Sequence, residues 1–81
     1  MKVSDKIIVR NIQDKTIIIN SNTGEATILD EIGTKFWESL LSDNFDKIKD
    51  EILREYDVVE EKLLEDYNKF VDTIMSLKIV F

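Results

Sequence analysis

The first third of the chain alternates short apolar runs with polar clusters. Ile7-Ile8-Val9-Arg10, Lys15-Thr16-Ile17-Ile18-Ile19 and Glu25-Ala26-Thr27-Ile28-Leu29 are rich in β-branched residues, which suit a pleated and half-buried surface, so each is predicted as a strand. Residues 11–14 and 20–24 read as turns, and Asn22 and Gly24 tolerate the positive φ that short antiparallel connections need. The expectation is a three-stranded meander.

From Asp30 the apolar period becomes helical. Asp30 caps a first helix to about Leu41, with Ile32, Phe36, Trp37, Leu40 and Leu41 on one face. Gly33 in its first turn is read as permitting close backbone packing, because it costs about 1 kcal/mol against Ala otherwise. Asp43 or Asn44 opens a second helix carrying Phe45, Ile48, Ile52, Leu53 and Tyr56 at spacings of three and four. Asp57, followed by Glu60, resembles the start of a third helix running to about Ser76. Leu77, Ile79, Val80 and Phe81 form an apolar tail that must pack on the body or run along an edge. The predicted order is βββααα, an α+β domain, and no linker, repeat or Pro interrupts residues 1–81, so one domain is expected.

Composition narrows the chemistry. With 81 residues, 43% apolar and 35% charged, the chain suits a small soluble domain with function on its surface. It has neither Cys nor His, which removes thiolate and imidazole catalysis and the usual zinc ligands, so neither metal nor cofactor is expected. No disulfide, signal segment or apolar run of roughly 18 residues is present, and a cytoplasmic location is the simplest expectation. The net charge is −6, with a local +2 in residues 1–20 (Lys2, Lys6, Arg10 and Lys15 against Asp5 and Asp14) and hence −8 on the remainder. Such a field repels nucleic acid and anionic lipid and favours a neutral or basic partner segment.

Two features point to peptide capture. On the third helix, Leu63, Tyr67, Phe70, Ile74 and Leu77 make the core stripe, while Leu64, Val71 and Met75 widen the apolar arc along one flank. The strand at Glu25–Leu29 carries neither Pro nor Lys to blunt its edge. An unprotected edge beside an apolar helical flank is what β-strand addition requires.

The run Ile28-Leu29-Asp30, then Phe36-Trp37 and Leu40-Leu41, then Ile48, Ile52-Leu53 and Tyr56-Asp57-Val58, and finally Asp66-Tyr67, Phe70-Val71 and Leu77-Lys78-Ile79-Val80, resembles the PqqD-like domains, also called RiPP recognition elements. These bind leader peptides of ribosomally made, post-translationally modified peptides. The likeness covers nearly the whole chain and rests on order and spacing. This sequence lacks the family's Pro before the first helix, and Val59 stands where a small polar cap is common, leaving Asp57 to cap.

The resemblance implies a winged helix-turn-helix-like fold with the leader peptide antiparallel to the third strand and against the third helix. Carried over by position, the groove is lined by Glu25, Ala26, Thr27 and Ile28 and by Leu64, Tyr67, Asn68, Val71 and Met75, with Asp66 or Asp72 meeting a basic guest residue. The implied partners are a precursor leader peptide and a maturation enzyme, either a leader peptidase of the lasso type or a radical S-adenosylmethionine enzyme, including pyrroloquinoline quinone biosynthesis; pairing of two copies stays open. The alternative is a small adaptor binding a folded protein through the same edge. DNA binding through the third helix is disfavoured because Asp57 to Thr73 carries six acids and two lysines. Adjacent carboxylates such as Glu60/Glu61 or Glu65/Asp66 do not face each other on a helix, so an enzyme is not expected.

Overall fold

In the computed structural model, which describes residues 2–81, β1 (Ile7–Ile12), β2 (Lys15–Asn20) and β3 (Ala26–Leu29) precede α1 (Glu31–Ser42), α2 (Phe45–Glu55) and α3 (Glu60–Ser76). The sheet is antiparallel in the order β1-β2-β3, so β3 is an edge strand. β1 extends two residues further than the β-branched run indicates, to Ile12, and Gln13 takes the positive φ of 56° in the tight connection to Lys15. In the second connection Gly24 takes φ 77°, while the Asn20 carboxamide accepts from the amides of Asn22 and Thr23.

Asp30 caps α1 as expected, its carboxylate accepting from the Gly33 amide at 2.7 Å. A Cβ on Gly33 would lie 3.2 Å from both the Asp30 carboxylate oxygen and Leu29 Cβ, so glycine lets α1 start tight against β3. α3 departs from the reading in one respect. Its N-cap is Val59 with no side-chain hydrogen bond, so Asp57 does not cap it; Glu60 and Glu61 supply the negative charge that the first turn favours.

The end of α3 is a Schellman turn: Lys78 sits in the left-handed region at φ 59°, its amide donates to the Met75 carbonyl, and the Ile79 amide reaches back to Ile74. This reversal drives the tail inward. Ile79 and Val80 are buried with Ile18, Leu29, Trp37, Leu40 and Ile74 in the main core. Val3 pairs with Val80, and the backbones of Lys2 and Phe81 exchange hydrogen bonds. The tail is therefore paired to the N-terminal segment and leaves the β3 edge alone.

A second cluster lies among the helices, with Phe36, Ile52 and Leu63 at its centre. Phe70 packs against both clusters and joins them. Thr16, fully buried on β2, lies 2.9 Å from the Thr34 hydroxyl and 3.2 Å from the Asn11 carboxamide oxygen. With one proton to give, it donates to Asn11 and accepts from Thr34, tying the sheet to α1.

Candidate functional site

Main-chain hydrogen bonding in an antiparallel pair alternates, so one bond sets the rest. The Asn20 amide donates to the Glu25 carbonyl at 2.9 Å, which makes Asn20 and Glu25 a hydrogen-bonded pair. In the same register Ile18 and Thr27, and Thr16 and Leu29, are also such pairs. The amides and carbonyls of Ala26 and Ile28, two residues with two groups each, therefore face the open edge.

Side chains alternate in step with this pattern. Thr27 and Leu29 turn toward the helices, with Leu29 in the core, whereas Ala26 and Ile28 are exposed on the outer face. Facing the inner side of β3 across a gap is one side of α3. Two cavities follow one another along this seam. The smaller, about 280 Å³, has Glu25 and Thr27 on the sheet side and Ser76, Leu77 and Lys78 on the other. The larger, about 530 Å³, is bounded by Ile28, Leu29 and Asp30, by Ile32, Gly33 and Phe36 of α1, and by Asp66, Lys69, Phe70 and Thr73 of α3. Together they form a cleft with an unpaired strand edge on one wall.

The α3 wall of this cleft differs from the expected one. At about 100° per residue, Asp66, Phe70, Thr73 and Leu77 form one stripe beside the buried row Leu63, Tyr67 and Ile74, and Leu64, Asn68, Val71 and Met75 form another on its far side. Only the first stripe borders the cavities. Leu64, Asn68 and Met75 are exposed elsewhere, and Val71 is half-buried against the main core. Tyr67 is structural: its ring stacks on Phe45 with centroids 4.2 Å apart, meets Phe36 edge-on at 5.2 Å, and its hydroxyl lies 3.4 Å from the buried Ser39 hydroxyl. Asp72 is exposed on the side of α3 turned away from the core.

Of the expected residues, Glu25, Thr27, Ile28 and Asp66 border the cavities and Ala26 contributes its backbone to the edge. Lys69, Phe70, Thr73 and Leu77 were not anticipated as lining. Their three-and-four spacing is visible, but both flanks of the core stripe show it, and the more apolar flank is not the one that borders the cavities.

Charge along the cleft wall is largely paired. Asp66 bonds Lys62 at 3.1 Å and Glu65 bonds Lys69 at 3.1 Å, both one helical turn apart. The Asp66 carboxylate, by hydrogen bond and then by charge, holds Lys62 above the ordinary lysine range, and Lys69 likewise holds Glu65 below the ordinary carboxylate range. Both pairs are exposed and screened by solvent, so each contributes little to the fold. A cation reaching Asp66 would therefore compete only with an exposed lysine.

The family described as Coenzyme PQQ synthesis protein D (PqqD) matches residues 15–80. No curated protein matches the chain. Among solved structures, TbiB1 in complex with the TbiA(beta) leader peptide is similar over 98% of this chain and 93% of that chain, with a TM-score of 0.79 and 26% sequence identity.

Proposed function

The chain belongs to the PqqD family, and from that premise we propose that it captures the leader segment of a ribosomally synthesised precursor peptide as a fourth strand on β3, with alternate guest side chains entering the cleft against α3. The observation that carries the reading is the coincidence of an unpaired edge at Ala26 and Ile28 with two cavities along the same seam. The likeness to a protein solved with a leader peptide supports it.

Magnitudes divide the work between backbone and side chains. Four edge groups contribute roughly 2–6 kcal/mol net at about 0.5–1.5 kcal/mol each. Ordering a disordered guest costs about 2–5 kcal/mol. Strand pairing thus roughly cancels ordering, and the surplus comes from apolar guest side chains buried in the cleft, at about 1.5–3 kcal/mol each. Strand pairing is indifferent to sequence, so specificity resides in the cavities lined by Thr27, Leu29, Phe36, Phe70, Thr73 and Leu77.

The domain, taken as one unit over residues 1–81 whose two clusters meet at Phe70, acts without chemistry of its own. By holding the leader it raises the effective concentration of the precursor at a modifying enzyme or leader peptidase. Isothermal titration against leader peptides encoded in neighbouring reading frames tests this. Saturable binding is expected, lost in Thr73→Arg on the cleft wall and retained in Asn68→Arg on the far flank. Absence of binding to any leader, or loss only in Asn68→Arg, contradicts it.

A further inference from the structure

The sheet is apolar on both faces, and the helices cover only one. An antiparallel strand with one wet face alternates apolar with polar residues, yet the central strand reads Ile17-Ile18-Ile19. Ile18 is buried in the main core, whereas Ile17 and Ile19 belong to neither core cluster nor to the residues packed on them. On that outer face the register sets Ile8, Ile19 and Ala26 in one row, and Arg10, Ile17 and Ile28 in the next, with Ile12 beside Lys15 beyond. Cross-strand neighbours lie about 5 Å apart at Cβ, so the isoleucines form one continuous patch. Ile8, Ile12 and Ile28 are 39%, 56% and 67% exposed.

Continuous apolar surface of this kind marks a contact site more often than bare surface. Its charged groups, Arg10 and Lys15, are both cationic on a chain of net −6. Neither makes an ion pair among the described residues, and the Arg10 guanidinium donates only to the carbonyl of its neighbour Val9, at 3.0 Å. The patch also runs up to the peptide-accepting edge. A guest strand on β3 places every second side chain on this outer face, next to Ala26 and Ile28.

We propose that the outer face of the sheet docks the enzyme that acts on the bound peptide, through a surface of that enzyme that is apolar at its centre and acidic at its rim, and that the guest strand completes the docking surface. The proposal rests on the strand-addition reading. A second copy stacked on this face about a two-fold axis sets Arg10 and Lys15 against their own like charges, and the −8 carried by residues 21–81 repels an anionic membrane. Because the peptide contributes to the enzyme's contact, peptide and enzyme each tighten the other's binding, by the same factor.

The test uses the full-length domain, a labelled leader peptide, and the purified peptidase or maturase encoded beside the precursor. Ile12→Glu and the double variant Arg10→Glu/Lys15→Glu alter the face far from the cleft. Each is expected to weaken enzyme binding about tenfold or more, with leader affinity in the absence of enzyme unchanged, and saturating leader is expected to tighten enzyme binding to the wild-type domain. Leader binding with wild-type enzyme affinity in both variants overturns the docking face alone. Enzyme binding that both variants lose, without leader binding to the wild type, overturns the strand-addition reading alone. A wild-type dimer that Ile12→Glu splits in sedimentation equilibrium assigns the face to a second copy, and co-sedimentation with phosphatidylglycerol vesicles that Arg10→Glu/Lys15→Glu abolishes assigns it to lipid; either result overturns the proposal.

Discussion

Replacing Ile28 by Pro separates guest pairing from folding. The Ile28 amide faces the open edge, and its pairing position opposite Ile17 is a non-hydrogen-bonded one, so no ladder bond to β2 is lost. Pro is tolerated on edge strands whose N–H faces solvent, and Thr27 before it is already extended, the conformation a residue preceding Pro prefers. The side chain is 67% exposed, so its replacement costs the fold about 1 kcal/mol or less. For the guest the loss is larger. One edge hydrogen bond disappears, worth about 0.5–1.5 kcal/mol, and the guest carbonyl facing it is buried unpaired at about 1–3 kcal/mol. The sum of roughly 1.5–4.5 kcal/mol predicts affinity weaker by about tenfold to a thousandfold. Fluorescence anisotropy with a labelled leader reads the affinity, and a circular dichroism melt reads the fold. Ile28→Ala controls for the side chain and is expected to bind leader nearly as well as wild type. Thr27→Pro controls for the ladder: its amide faces Ile18, so that variant is expected to melt at a clearly lower temperature. A folded Ile28→Pro domain with wild-type affinity refutes strand addition at this edge.

Two further predictions concern the frame of the cleft. Lys78→Gly relieves a non-glycine residue held at φ 59° in the Schellman turn and is expected to stabilise the fold by about 1 kcal/mol, read as a higher melting temperature. Gly33→Ala gains about 1 kcal/mol in helix propensity, but its Cβ crowds Leu29 and the capping carboxylate of Asp30. Disturbing the cap costs about 0.5–2 kcal/mol and overpacking about 1–3 kcal/mol, so a net loss of stability of about 0.5–4 kcal/mol is expected in urea unfolding.

Elements were legible where local chemistry decided them. The β-branched runs, the Asp30 cap and the helical spacings located all six elements, since each depends on residues close in sequence. Val59 at the N-cap of α3 was less accessible: Asp57 and Glu60 mimic a capping box, and the extended backbone at Val59 moves the start without leaving a polar signature. The cleft wall was half legible. An open edge at residues 25–29 follows from strand order in a meander, but which flank of α3 faces it depends on how the helix is rolled against α1 and α2. That roll is set by Tyr67 inserting between Phe36 and Phe45, side chains brought in from two other helices, and no pattern within α3 records it. The sequence leaves the tail either on the body or along an edge; Ile79 and Val80 enter the core, and the pairing with residues 2–4 arises from the reversal at Lys78.

The central claim predicts an alternation that amide hydrogen exchange can read residue by residue. On saturation with leader peptide, the amides of Ala26 and Ile28 should become strongly protected, while Thr27 and Leu29, already bonded to β2, change little. Leader binding with Ala26 and Ile28 still exchanging freely, or with new protection confined to the Leu64–Asn68 flank of α3, contradicts the account.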